Sequence, residues 1–202
     1  NQDAQHDGVH RFFVETGARV KYVEKHYGSG TGAGKRILNP VTEVYQEADS
    51  VVEMEMVQIR GVDDTDRTTT AVLKEGAKLV VRERLMTHGD QRAISLYKMD
   101  LAGKGSSADV VSRSVARDHS FQKFDATLLG NAPCSGHTEC DSIIMDQGRI
   151  LAVPGLEAND LDAALVHEAA IGKIAGDQIT KLMTLGLTEA EAEEQIINGF
   201  LQ

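Results

Sequence analysis

Four turn-type residues, Gly17, Asp49, Gly76 and Gly105, open four similar segments at nearly regular intervals. Each is followed by a small residue (Ala18, Ser50, Ala77, Ser106), then two places later by a core-type position (Val20, Val52, Leu79, Ala108), and two beyond that by another (Tyr22, Met54, Val81, Val110). Alternation by two marks a strand with one buried face. A unit of about 30 residues with two or three short strands buries that face by stacking on the next unit, which predicts a β-solenoid. A β-sandwich with coincidental spacing is the alternative. Composition suits the solenoid. Aromatic residues are only 4%, with no Trp and 19 Gly, as expected of a narrow interior filled by aliphatic layers and turned by glycines.

Two textures divide the chain. Residues 10–155 carry short Val/Ile/Leu/Thr runs between Gly, Asp, Asn and Ser, so a β core is assigned to residues 1–158. It reads as entered partway, because the chain starts with Asn and soon reaches a strand-like run, like the back part of a longer protein. From about Asp160 the chain is rich in Ala, Glu, Leu and Ile at helical spacing. Residues 159–202 are read as a final strand or loop plus a helical hairpin over 177–185 and 189–201. Gly186 ends the first helix, and Thr188 with Glu191 forms a capping box for the second.

The formal net charge is −10, which argues against nucleic acid or an anionic membrane surface as partner. No apolar run approaches the length of a membrane span and no signal-peptide pattern opens the chain, so a soluble cytoplasmic protein is expected. Cys134 and Cys140 share one face of an extended segment, about 20 Å apart at about 3.3 Å per residue. Without a turn at Ser135-Gly136 both are free thiols, in keeping with a reducing compartment.

Two stretches concentrate chemistry. Cys134, His137, Glu139, Cys140 and Asp141 offer thiolate, imidazole and carboxylate ligands suited to iron or zinc. They lack the paired spacings of a structural zinc site, and a buried Cys is equally well read as a small hydrophobe. His167 and Glu168 stand beside apolar neighbours, where a carboxylate is costly unless paired or coordinating. Cys140 and Glu168 stand one repeat apart in sequence. Adjacent rungs lie about 4.8 Å apart, so the two are candidates to ligate one metal or cluster. Pro154 and the loop at Asn159-Asp160 intervene, so the spacing does not give their facing. A helix-leading Glu beside a satisfied His is the plainer reading.

Two tempting motifs fail on their own terms. Gly28-Ser-Gly-Thr-Gly-Ala-Gly-Lys35-Arg36 resembles a phosphate loop, but Ser29 stands where its first Gly belongs and Arg36 replaces the Mg²⁺-binding hydroxyl. A turn between coils accounts for it, and no bound nucleotide is expected. Ser112, Asp118 and His119 are neighbours in sequence, whereas triad members converge from separate elements.

The blocks Glu139-Cys140-Asp-Ser-Ile-Ile, Val166-His167-Glu168-Ala-Ala-Ile-Gly-Lys-Ile, Ile179-x2-Leu182-Met183-x2-Leu-Gly186-Leu187-Thr188-Glu-x-Glu-Ala and Ile197-x-Gly-Phe200, in this order, resemble the SufB/SufD family of iron–sulfur assembly scaffolds. The resemblance runs from about Cys134 to Leu201. It implies a right-handed parallel β-helix followed by a small helical domain. It also implies a SufC-type ABC ATPase as partner and a nascent Fe–S cluster built between two β-helix subunits. By the same resemblance Cys140 and Glu168 are the assembly residues and transient iron ligands, a pair that leans toward SufB and toward the single-scaffold homodimers of archaea and anaerobes. Cys134, His137 and His167 are weaker candidates.

The chemistry agrees with that implication. A thiolate accepts sulfane sulfur as a persulfide and binds iron, while a carboxylate binds iron weakly enough to let a cluster leave for an acceptor. Partner docking is assigned to the apolar stripe of the hairpin, namely Ile179, Leu182, Met183, Leu187, Thr188, Ile197 and Phe200. The chain is then a scaffold without turnover of its own, served by a sulfur donor and acceptor proteins, with ATP hydrolysed on the partner and a SufD-like heterodimer as the other pairing. Two other classes remain: a thiol hydrolase using Cys140 with His137 or His167 as base, and a structural solenoid that regulates an ATPase.

Overall fold

A computed structural model describes residues 4–28 and 34–202. Fourteen strands precede two helices: β1 (Ala4–His6), β2 (Val9–Val14), β3 (Arg19–Tyr27), β4 (Arg36–Leu38), β5 (Val41–Gln46), β6 (Val51–Arg60), β7 (Asp64–Leu73), β8 (Lys78–Thr87), β9 (Arg92–Leu101), β10 (Ser107–Ala116), β11 (Phe121–Gly130), β12 (Ser135–Ile144), β13 (Arg149–Ala158), β14 (Ala164–Gly172), α1 (Gly176–Thr184) and α2 (Glu189–Phe200). The strands alternate between two parallel sheets. One runs β3-β6-β8-β10-β12-β14; the other runs β7-β9-β11-β13, with β4 and β5 beside β7 and with β1 and β2 beyond them. This is a β-solenoid of about six turns followed by two helices. The sandwich alternative falls, because every strand pairs in parallel with the strand one coil away.

The repeat read from sequence is the register of the second half of each coil. Val20, Val52, Leu79 and Ala108 are hydrogen-bonded neighbours in a row, as are Tyr22, Met54, Val81 and Val110. Gly17, Asp49, Gly76 and Gly105 have φ of 71°, 59°, 65° and 71°, a left-handed turn that glycine adopts without strain and aspartate tolerates. Inward positions such as Leu73, Leu79, Val81, Met99, Leu101, Val110 and Leu128 are essentially unexposed. Each such side chain stabilises the fold by about 1.5–3 kcal/mol. The bore also takes up Tyr97 and Phe124, tilted with centroids 5.6 Å apart.

The buried charged groups Glu24, Arg67 and Glu83 are hydrogen-bonded. Arg67 Nη1 donates to Glu24 Oε1 at 2.8 Å, with both side chains buried. Burial works to raise the Glu24 carboxyl, but hydrogen bonding by His26 and the charge and hydrogen bond of Arg67 outweigh it and hold it down to about 2, from 4.5. A lowered folded-state value means the stability from Glu24 is fully present above pH ~4.5 and is lost as pH falls toward ~2. Chemical unfolding across that window is therefore expected to show a steep acid loss that Glu24→Gln flattens; an unchanged slope would contradict the pairing.

The helices stand close to their expected bounds. Thr188 caps α2, its hydroxyl accepting from the Glu191 backbone N–H at 3.3 Å while the Glu191 carboxylate accepts from the Thr188 N–H at 2.8 Å. Thr188→Ala is expected to cost about 1 kcal/mol, read as faster amide exchange at the start of α2 only. Ile197 of α2 faces Ile59 and Met86 across a shared cavity, which places α2 over the outer face of the β3–β14 sheet.

Candidate functional site

The last coil is uncapped. Among the described residues β13 pairs only with β11, and β14 only with β12, so both present a row of free backbone N–H and C=O groups. Around this end Leu151, Val153, Leu156, Val166 and Ile171 are all exposed. Free edges with apolar side chains in a confined area form an association surface.

Cys140 lies one coil inside this end, on β12. It points into the bore between Ser112 of β10 and Ala169 of β14 and is only 1% exposed. Its Sγ lies 3.6 Å from Ser142 Oγ. Burial pushes its thiol up; the Ser142 hydroxyl works the other way, and the negative charges of Glu83 and Asp141 add to the rise. Glu83 is itself buried, accepting from Ser95 Oγ at 2.5 Å, Tyr97 OH at 2.9 Å and Ser112 Oγ at 2.7 Å. Cys134 is also buried and free, at the turn before β12. Its thiol is raised, chiefly by burial.

Glu168 does not join Cys140. It pairs in register with Glu139, while Cys140 pairs with Ala169. Neighbouring residues of a strand point to opposite faces, so Glu168 stands exposed on the outer face while Cys140 is enclosed. The spacing of one repeat does reach the adjacent coil, but it misses the register by one. Residues 131–134 connect β11 to β12, whereas 159–163 connect β13 to β14, a loop longer by one. One extra loop residue turns every side chain of the following strand over.

The bore side of β14 presents His167 instead. Its Nδ1 lies 2.7 Å from Thr138 Oγ1, and its imidazole is held below the ordinary value by burial and by the neighbouring His137. His137 faces outward, with Nδ1 2.8 Å from Asp109 Oδ1. Asp109 also accepts from Arg82 Nη2 at 2.5 Å. Burial opposes ionisation of Asp109, yet these two partners hold its carboxyl low. His137 and Glu168 line one outer-face cavity of about 520 Å³, with Asp109, Lys78 and Val166.

Glu139 and Asp141, outward like Glu168, interact closely: the hydrogen bond to Asp141, then burial, then the Asp141 charge push Glu139 up. Among the described residues no three His, Cys, Asp or Glu side chains are grouped to hold a metal ion. Asp109 was not singled out from sequence; its place one coil before His137, in register with it, is the signal that marks it.

The remaining sequence candidates separate clearly. Residues 29–33 of the glycine-rich stretch lie outside the described residues, and Arg36 beyond them is paired with Asp63 at 2.9 Å. Ser112 is buried and bonded to Glu83, whereas Asp118 and His119 are exposed on a turn, so they form no triad. In the hairpin, Met183 is exposed and Ile179, Leu182, Leu187 and Phe200 are among its other apolar positions. Ile197 is 3% exposed and packs on its own chain; it leaves the docking stripe, because its apolar surface is already covered. The Thr188 side chain is committed to the cap.

The family described as "SUF system FeS cluster assembly, SufBD core domain" matches residues 1–200. An iron-sulfur cluster assembly SufBD family protein of Methanothermobacter thermautotrophicus is 32% identical over 201 residues, covering 98% of this chain and 48% of its own length. A protein of the same description from Archaeoglobus fulgidus is 28% identical over 199 residues, covering 98% of this chain and 53% of that protein. One from Mycobacterium tuberculosis is 27% identical over 206 residues, 99% of this chain and 24% of that protein. The chain thus spans about half the length, or less, of these relatives.

Proposed function

Because the chain belongs to the SufBD family of iron–sulfur cluster assembly proteins, we propose that it is a scaffold on which a nascent cluster is built as cargo, with Cys140 as the sulfur-accepting thiolate. The uncapped solenoid end is the observation that supports this most. It offers free edges for a second solenoid subunit, a copy of this chain or a SufD-like one, and it leaves Cys140 one coil from the seam. Cys140 of β12 and His167 of β14 face the bore and Glu168 the outer rim, so the reading gives sulfur acceptance to Cys140 and a weaker iron contact at the open edge to Glu168. Such a mixed donor set holds iron less firmly than four thiolates and permits release to an acceptor.

The apolar face of the hairpin, with Met183 exposed and Ile179, Leu182, Leu187 and Phe200 half-buried, is the surface we assign to a SufC-type ATPase. We place this work in the cytoplasm; among the described residues no helix is long and apolar enough to cross a membrane. The hydrolase alternative loses support from the geometry: His137, one of its two candidate bases, lies on the other side of the sheet from Cys140.

The test is anaerobic reconstitution of the full-length protein with ferrous iron and sulfide. Thiolate-to-iron absorbance accompanied by a shift to dimer mass is expected. A protein that stays colourless under conditions where a known scaffold colours overturns the reading.

A further inference from the structure

The hairpin is seated lightly. α1 buries no residue, and α2 buries only Ala192 and Ile197. Between α2 and the solenoid run two cavities of about 560 and 620 Å³. The first is lined on the solenoid side by Arg36, Arg60, His88 and Arg117, and on the helix side by Glu193 and Glu194. Arg36 is engaged by Asp63. Arg60, Arg117, Glu193 and Glu194 form no ion pair among the described residues. His88 and Arg117 directly follow the paired positions Thr87 and Ala116, so the Arg117 turn stands beside the His88 turn on the adjacent coil.

We propose that α2 is a detachable strap, held on the solenoid corner by attraction across this cleft between Arg60 and Arg117 on one wall and Glu193 and Glu194 on the other. Close packing supplies little of the hold. Charges separated by a cleft attract through a screened field, whose range shrinks from about 10 Å at about 0.1 M salt to about 3 Å at about 1 M. Release frees the hairpin and uncovers Val57, Ile59 and Met86 beneath it. The inference stands on the seating of α2 alone and does not depend on cluster assembly at Cys140.

Amide hydrogen exchange of the full-length protein tests it. Exchange of residues 189–201 is expected to quicken by about tenfold between about 0.1 and 1 M sodium chloride, and again in Glu193→Arg/Glu194→Arg at low salt, while β8 and β10 stay protected. Adding Arg60→Glu/Arg117→Glu to that variant is expected to restore slow exchange. Exchange of α2 that ignores both salt and charge reversal overturns the proposal, as does a four-site swap that restores nothing. Should the reversed variants fail to fold, the salt dependence of the unmodified protein decides alone.

Discussion

Cys140→Ser is expected to bring the absorbance of reconstituted protein down to that of iron and sulfide without protein. The substitution removes one chemical capacity and little else. Serine is close to isosteric, and its hydroxyl enters a neighbourhood that already holds Ser112, Thr138 and Ser142, so the bore stays filled and the new hydroxyl has partners beside it. Sulfur chemistry is lost: an alkoxide is not formed near neutral pH, and an oxygen cannot carry sulfane sulfur as a persulfide. Glu168→Ala is expected to lower cluster retention more mildly, because a carboxylate on the rim is the weaker iron ligand. The order of the two effects is diagnostic. Equal loss in Cys134→Ser, or full colour in Cys140→Ser with an unchanged urea midpoint, would remove Cys140 from the site.

Arg67→Met is expected to cost the fold about 3–5 kcal/mol, the range seen when one partner of a buried ion pair is deleted. Arg67 is 3% exposed and crosses the bore to Glu24, itself 6% exposed. Its guanidinium stays charged even so: burial opposes the charge, but the carboxylates of Glu24 and Glu83 and the nearby Tyr97 favour it. Methionine fills the volume but leaves Glu24 without the Arg67 cation in a low-dielectric interior, with only His26 and Tyr22 still bonded to it. The double variant Glu24→Leu/Arg67→Met is expected to recover most of the loss, since a well-packed apolar pair often matches a buried ionic one. Urea unfolding with the m-value monitored checks both. A single-variant loss under about 1 kcal/mol would mean that the Glu24 charge is solvated.

Much of the architecture was legible before any coordinates. Period-two alternation and left-handed turn residues recur once per coil in this sequence, and both are local properties. Gly17, Asp49, Gly76 and Gly105 therefore aligned correctly, with the two core rows behind them. The capping box at Thr188 was legible for the same reason, since a single helical turn contains all of its hydrogen bonds. Interior charge was not. Glu24, Arg67 and Glu83 look like any surface ion in sequence, and only the closing of one sheet over the other brings Arg67 to Glu24. Ile197 is covered by its own solenoid, and an apolar helix face reads alike in sequence whether it is covered so or awaits a partner.

The sequence by itself determined that stacked coils would form and that an anionic chain with two thiols would carry them; Cys140 and Glu168 were singled out by the resemblance to the SufB/SufD family. Tertiary structure alone decided how those two stand. A spacing of one repeat says they are one coil apart, but facing depends on the parity of every loop between them. The connection before β14, longer by one than its counterpart before β12, places the thiol inside the bore and the carboxylate outside it. A strand has a side-chain period of two, so a single loop residue is enough to reverse a face while leaving the repeat, the pairing and the fold unchanged.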